Sequence, residues 1–136
     1  MKKNISSWDK TLLLVRAALD RKACDLTVLD VHAHTSIADY FIVCSGRSDR
    51  QVQSIAQGLE DDGIEEGFKP FAVEGAQRGH WVLMDFSDVI VHIFYEPVRQ
   101  FYDLDGLWGH APRAKLPDAY AKLILQFQTA DENMSP

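Results

Sequence analysis

The first apolar residues of the chain recur at helical spacing. Successive members lie three or four positions apart, which is typical of a helix with one buried side. They are Trp8, Leu12, Val15 and Leu19. Ser7 is predicted to cap this helix, because a serine hydroxyl accepts a hydrogen bond from an amide of the first turn. The polar residues 20–22 are predicted to end the helix.

Two strands and a second helix are predicted next. Residues 26–31 are rich in β-branched side chains, and residues 40–44 form a continuous apolar run, as in a strand covered on both faces. Residues 45–47 are predicted to form a turn. Ser48 and Gln51 then have the spacing of a capping box, in which the serine hydroxyl accepts from the Gln51 amide and the glutamine side chain reaches back to the Ser48 amide.

Three more strands are predicted in the second half of the chain, over residues 71–73, 81–85 and 89–95. A short gap separates the last two strands, so an antiparallel hairpin is the expected connection. The strand over 89–95 is apolar at almost every position, and we predict that it lies centrally in the sheet.

Two further helices are predicted near the end of the chain. The first begins at Pro97, because proline is tolerated in the first turn of a helix. Its predicted apolar face consists of Phe101, Leu104, Leu107 and Trp108. The second covers residues 118–128, and residues 129–136 are predicted to be a frayed tail.

This order of elements predicts a single α/β domain. One helix lies between the second and third strands and a hairpin lies late in the chain, which indicates a mixed sheet with helices packed against it. We place the domain at residues 1–111. Residues 112–136 are interpreted as a C-terminal extension that contains one helix and the tail.

Composition and charge limit the class of protein and the kinds of partner that are expected. The 136 residues are 46% hydrophobic, which is enough to form a core. No apolar run approaches the ~20 residues that cross a bilayer, and no secretory signal is evident, so we expect a cytoplasmic protein. Fourteen basic and twenty acidic residues give a net charge of −6. This balance favours a basic partner, a small molecule or another subunit over a phosphate backbone.

The candidate metal and histidine sites are incomplete. Asp85 and Asp88 flank the hairpin turn and could bind Mg²⁺, but turn aspartates more often bond to the backbone, and no third ligand is evident. His32 and His34 would share a strand face, yet structural zinc normally has four ligands, so a solvated strand end is favoured. His92 lies within an apolar strand and is interpreted as a packed histidine with one bonded nitrogen.

Nucleophile and phosphate sites are no better supported. Cys24 and Cys44 have no CxxC spacing and no neighbouring histidine, so they are interpreted as reduced core thiols. Residues 45–48 connect a strand to a helix whose amides could bind phosphate, but neither GxGxxG nor GxxxxGK[ST] is present. We therefore predict no cofactor and no metal site, and no catalytic constellation is complete.

Bulky residues near the hairpin suggest a contact surface instead. Strand alternation places Trp81 and Asp85 on one face, and Val82, Met84 and Phe86 on the other. Both sets are difficult to bury next to a turn. We therefore expect at least one bulky side chain to be exposed and available to a partner.

Seven segments form an ordered series along the chain. They are DYFIVCSG at 39–46, SDRQV at 48–52, VEG at 73–75, WVLMD at 81–85, DVIVHIF at 88–94, RQFY at 99–102 and LW at 107–108. In this order and at this spacing the series resembles the ribosomal silencing factor family, also called Iojap. The resemblance covers about Ser6 to Trp108, and nothing is carried over to residues 112–136.

The resemblance implies both a fold and a function. The fold would be an α/β domain with a mixed five-stranded sheet, similar in topology to nucleotidyltransferases. The protein would bind the large ribosomal subunit through the universal ribosomal protein fourteen, on the subunit-joining face. It would block the small subunit and repress translation when nutrients are scarce, without enzymatic activity. The resemblance also implies a homodimer. The net negative charge suggests little direct contact with nucleic acid.

The partner-binding residues implied by the resemblance lie on or near the hairpin. They are Trp81 and Phe86, supported by Met84, Asp88, Arg99 and Tyr102. The family often has an aliphatic residue and a glycine where this chain has Phe86 and Ser87. Two alternatives stay open: an adaptor in large-subunit assembly, and a nucleotidyltransferase-like enzyme. For the enzyme, this chain lacks the expected Gly-Ser followed by paired carboxylates.

Overall fold

The computed structural model describes residues 5–128, so the predicted frayed tail lies outside the described residues. The helices and strands run in the order α1 (Ser7–Asp20), β1 (Cys24–Asp30), β2 (Tyr40–Gly46), α2 (Asp49–Glu65), β3 (Ala72–Glu74), β4 (Trp81–Asp85), β5 (Val89–Tyr95), α3 (Glu96–Tyr102), α4 (Leu104–Leu107) and α5 (Asp118–Gln126). In the part of the chain that is described, no helix is long and apolar enough to cross a membrane.

The strands form one five-stranded mixed sheet in the order β1-β2-β5-β4-β3. β2 and β5 pair in parallel, and the other neighbours pair antiparallel. The predicted hairpin is confirmed, with Trp81 opposite Phe94 and Asp85 opposite Ile90. The central position of β5 is also confirmed. Burial on both faces explains why β5 is apolar at almost every position.

One face of the sheet, which we call the covered face, packs against α1, α2 and α5. The buried side chains come from both helices and strands. From the helices they include Leu14, Val15, Leu19, Val52, Ile55 and Leu59; from the strands they include Val28, Ile42, Val82, Met84, Val91 and Ile93. Tyr120, Ile124 and Phe127 of the C-terminal segment pack around this core.

The other face, which we call the open face, has a smaller cover. It packs against α3, α4 and the residues just after α4. Its buried cluster consists of Leu29, Val31, Ala38, Phe41, Val43, Ile90, Phe94, Leu104 and Ala111. Trp81, Leu83, Val98 and Trp108 pack against this cluster but stay partly exposed.

Two helix starts differ in detail from the predictions. α1 is capped by Ser6 rather than Ser7: the Ser6 hydroxyl accepts from the Asp9 amide at 3.0 Å. At α2 the Ser48 hydroxyl accepts from the Gln51 amide at 3.0 Å, as predicted. The Gln51 side chain instead accepts from the Arg47 amide at 2.7 Å, so the second half of the capping box is wrong.

The glycine that ends β2, Gly46, allows close packing and does not form a turn. β2 continues through Ser45 and Gly46, so the turn predicted at 45–47 is wrong. A Cβ on Gly46 would lie 2.9 Å from Val52 Cγ2, closer than real side chains come. Glycine therefore lets the end of β2 approach the first turn of α2.

The helix predicted after β5 is two helices. α3 begins at Glu96, with Pro97 in its first turn, and ends where Asp103 adopts a left-handed conformation with φ of 49°. The Asp103 side chain caps α4 by accepting from the Gly106 amide at 3.1 Å. This break turns Leu104 into the core but leaves Phe101 and Leu107 exposed, so the predicted continuous apolar face is wrong.

Residues 112–128 lie along the edge of β1. The Asp30 amide donates to Pro112 O at 2.8 Å, the Ala114 amide donates to Val28 O at 2.9 Å, and the Asp25 amide donates to Phe127 O at 3.1 Å. These bonds satisfy the backbone of an edge strand. The domain boundary at residue 111 stays a prediction. Residues 112–128 pack onto the domain through these bonds.

Candidate interaction surface

The hairpin turn is stabilised from within by one of its two aspartates. Asp85 Oδ1 accepts from the Ser87 amide at 2.8 Å, which is the backbone role favoured for a turn aspartate. Ser87 has a φ of 82°, a left-handed conformation that favours glycine. Among the described residues, no group of three or more His, Cys, Asp or Glu side chains could hold a metal ion.

Lys10 ties the hairpin turn to α1. Its Nζ donates to Asp88 Oδ1 at 2.7 Å and to Phe86 O at 3.2 Å, and the lysine side chain is largely buried. The Asp88 carboxylate is therefore paired within the chain. The expected role of Asp88 in partner binding stays a prediction. In that role Asp88 would contact the partner while it remains paired with Lys10.

The side chains on the two faces of β4 differ in burial. Met84 is fully buried and Phe86, which follows β4, is 2% exposed, both in the covered face. Their side chains cannot reach a partner in this conformation, which corrects the expectation that they form contacts. The reason is that α1 and α2 extend over this end of the sheet, and Phe68 packs edge-on against Phe86 at 5.8 Å between ring centroids.

Trp81 lies half-buried on the open face and its ring is fixed in place. Its Nε1 donates to His92 Nδ1 at 3.2 Å. The indole stacks on Phe94, with ring centroids 5.0 Å apart, and contacts Tyr102 at 4.8 Å. A large aromatic that is already ordered loses little side-chain entropy on binding, which suits a contact residue.

His92 holds the Trp81 ring through a hydrogen bond. The histidine is buried, and burial lowers its pKa to about 4. At neutral pH the ring is therefore uncharged, and its unprotonated Nδ1 can accept from the indole. The interpretation of His92 as a packed histidine with a bonded nitrogen is confirmed.

The other two expected residues lie on α3. Arg99 Nη1 donates to Asp25 O at 2.7 Å and to Ser45 Oγ at 2.9 Å, so this side chain joins α3 to the ends of β1 and β2. Tyr102 is 53% exposed beside Trp81. Trp81 and Tyr102 are thus brought together, whereas Arg99 is directed into the fold.

A groove runs between α3 and the loop before β4. Its volume is about 450 Å³, and it is lined by Gly75, Arg78, His80, Trp81, Pro97, Val98, Phe101 and Tyr102. Phe101 is 81% exposed at this groove. The sequence analysis placed Phe101 on an apolar helix face, although adjacent aromatics at 101 and 102 cannot both face one core. We call Trp81, Phe101 and Tyr102 the aromatic patch.

The remaining candidates for chemistry are occupied or buried. His32 bonds through Nδ1 to the Asp30 carboxylate, which raises the pKa of this solvent-exposed histidine. Both cysteines are buried and reduced, as expected for core thiols. Burial raises the pKa of Cys44 to about 12, so its thiol stays protonated at neutral pH.

Ordered and exposed aromatic side chains beside a groove, as in the aromatic patch of this α/β domain, are typical of protein interfaces. A family model described as "Ribosomal silencing factor during starvation" matches residues 4–135. The chain belongs to this family. The match is wider than the segments at 39–108 that carry the resemblance, and it includes the C-terminal segment docked on β1.

Relatives and solved structures agree with this assignment. The chain is 42% identical over 109 residues to the ribosomal silencing factor of Bacillus subtilis, covering 79% of this chain and 92% of that protein. It is 36% identical to the chloroplastic Iojap protein of Zea mays, covering 76% of this chain and 45% of that protein. A crystal structure of a Chromobacterium violaceum protein superposes with a TM-score of 0.76 at 33% identity, covering 84% of this chain and 92% of that chain.

Proposed function

We propose that this protein represses translation by binding the large ribosomal subunit at its subunit-joining face, where it blocks association of the small subunit. The aromatic patch is the observation that carries this proposal. Trp81 is held by Phe94, His92 and Tyr102, and exposed Phe101 extends the same surface. Preordered aromatics next to a groove are typical of residues that dominate binding energy.

A steric mechanism requires only a binding surface, such as this patch, and a rigid domain behind it. A standard protein interface buries about 1,600 Å² in total, which is within the reach of one face of a small domain. The sheet and the helices of the covered face provide rigid bulk behind the patch. No cofactor and no enzymatic step are required, and the proposal includes neither.

Charge supports a basic protein partner on the ribosome. The net charge of −6 attracts basic surfaces and is repelled by exposed RNA phosphates. We take the partner to be the universal ribosomal protein fourteen, as the family resemblance implies. Binding should then weaken as salt is raised, because charge steering is screened at short distances above physiological ionic strength.

Co-sedimentation with ribosomal particles tests the proposal. The purified protein is mixed separately with large subunits, small subunits and joined ribosomes. We expect binding to large subunits alone, and fewer joined ribosomes as the protein is added. Binding to no particle at moderate salt would contradict the proposed function.

A matched pair of variants then tests the patch. Phe101→Glu places a charge at the aromatic patch, and Leu125→Glu places one on α5, where the leucine is 63% exposed. Both sites are solvent-exposed, so both variants should fold. We expect Phe101→Glu to weaken co-sedimentation at least about tenfold, as for an aromatic contact residue, and Leu125→Glu to leave it unchanged. Equal binding by the two variants would exclude the patch as the contact.

A further inference from the structure

The two edges of the sheet differ in what covers them. The edge of β1 is covered by the chain itself, through backbone bonds from Asp30 to Pro112 and from Ala114 to Val28. At the other edge, β3 has β4 as its neighbour in the sheet, and Ala72, Val73 and Glu74 are all exposed. An edge strand directs alternate N–H and C=O groups away from its partner, so β3 offers backbone groups for further pairing.

Exposed apolar side chains accompany this edge. Phe71, just before β3, is 79% exposed, and Val73 within β3 is also exposed. Val73 lies opposite Met84 in the register, which places both on the side of the covered face. Met84 is buried beneath the helices, whereas the side chains of β3 lie beyond that cover.

The charges that lie next to β3 in the sequence indicate which segment would fit. Glu65, Glu66 and Glu74 are exposed carboxylates, and Lys69 is the basic residue within 64–75. Glu65 ends α2, a helix with no basic residue in its last turn. Acidic residues are unfavourable at that end of the helix dipole, so positive charge from a partner would be stabilising there.

The length of the edge limits what can bind. β3 has three residues and follows Pro70, and both features are used to prevent open-ended pairing between sheets. A short strand can still accept one extended segment, because strand addition takes its affinity from a few backbone bonds and its selectivity from alternate side chains.

We propose that the outer edge of β3, with Phe71 and Val73, binds a short extended basic segment of a partner protein by strand addition. Apolar side chains of the segment would pack on Phe71 and Val73, and its cations would lie near Glu65, Glu66 and Glu74. No residue of the aromatic patch belongs to this surface, so the inference does not depend on the proposed function.

Peptide titration tests this edge without ribosomes. The probe is a fluorescently labelled eight-residue peptide in which valine alternates with lysine. Its binding is measured by fluorescence anisotropy at low and at moderate salt. One comparison peptide has the same charge and a central proline pair, which prevents pairing. Another has glutamate in place of lysine. We expect binding of the first peptide, at least tenfold weaker binding of the proline peptide, and none of the glutamate peptide.

Variants of the chain locate the site. The double variant Phe71→Lys with Val73→Lys should weaken binding of the valine–lysine peptide at least tenfold, whereas Ile37→Lys, at another exposed apolar site, should change it less than twofold. Unfolding midpoints in urea check that both variants fold. Phe101→Glu should bind the peptide as the unaltered chain does, which separates this test from that of the proposed function.

Three results would overturn the inference. The first is no binding of the valine–lysine peptide up to about 1 mM, the weak end of specific affinity. The second is equal binding of the proline peptide, which would show attraction by charge without strand pairing. The third is self-association that depends on Phe71 and Val73 without peptide binding, which would make a second copy of the chain the occupant.

Discussion

The covered face and the open face of the sheet bury their strands to different depths. On the covered face, α1 and α2 extend far enough to bury Met84 and Phe86 beside the hairpin turn. On the open face, the short helices α3 and α4 leave Trp81 half-buried and Phe101 exposed. Side chains of similar size therefore become core on one face and a candidate contact surface on the other.

Strand alternation by itself therefore does not locate a contact surface. β4 places Val82 and Met84 on one side and Trp81 and Leu83 on the other, as its period of two requires. Which side is accessible depends on the helices that pack there.

Replacing Phe86 should give the largest loss of stability. Phe86→Glu removes a ring from the covered core and places a carboxylate there, so we expect the free energy of unfolding to fall by at least about 4 kcal/mol. Phe101→Glu introduces the same change at an exposed site and should alter it by less than about 0.5 kcal/mol. Urea unfolding followed by circular dichroism measures both. Similar losses in the two variants would break the distinction between the faces.

His92 should make stability depend on pH. Its pKa is about 4 in the folded protein and 6.5 is the ordinary value, so the unfolded chain binds the proton more readily. The resulting stability is fully present above about pH 6.5 and is lost as the pH falls toward 4, by up to about 3 kcal/mol. Urea midpoints measured between pH 7.5 and pH 4 report this loss.

The variant His92→Gln serves as the control for this dependence. Glutamine keeps an acceptor for the Trp81 indole but does not titrate. Its stability should therefore fall less over the same pH range than that of the unaltered chain. Parallel curves for the two proteins would mean that His92 is not the titrating group.

Removing the Lys10 contacts should cost an intermediate amount. Lys10→Met keeps much of the apolar stem but leaves Asp88 and the Phe86 carbonyl without their lysine bonds. We expect a loss of about 1–2 kcal/mol, because the lysine and its bonds are partly buried. Lys69→Met, at an exposed lysine, is the matched control and should change the unfolding midpoint little. An equal effect at Lys69 would contradict a specific role for Lys10.

Relieving the turn should give the smallest effect, and a positive one. Ser87 has a φ of 82°, where glycine has no steric penalty. Ser87→Gly should raise the free energy of unfolding by about 0.5 kcal/mol, after the greater freedom of glycine in the unfolded chain is subtracted. Ser87→Ala keeps the strained backbone and should give no gain. A stabilising alanine together with a neutral glycine would contradict strain at this position.

Much of the fold follows from local pattern. Helical spacing from Trp8 to Leu19 and the capping serine at 48 predict α1 and α2, and the short gap between residues 85 and 89 predicts the hairpin. Ends of elements are less certain, because neighbouring polar residues compete for the same role. Ser6 rather than Ser7 caps α1 for this reason, and β2 runs through Gly46 into what the glycine predicted as a turn.

The candidate surface could be predicted only in part. Trp81 and Tyr102 were expected on a partner-binding surface, and the structure brings their rings to 4.8 Å. Their role in binding stays a prediction. Phe101 could not be assigned to this surface from the sequence, because its exposure depends on the break at Asp103 that separates α3 from α4.

The spacing of apolar residues along the chain is enough to predict the strands, α1, α2, α5 and the central place of β5, but not the division of the helix after β5 into α3 and α4. Tertiary packing determines that Phe86 is core, that Lys10 pairs with Asp88 and that Arg99 reaches Asp25 and Ser45. These outcomes depend on contacts between residues far apart in sequence. They are set by how far each helix extends over the sheet, a geometry that periodicity does not encode.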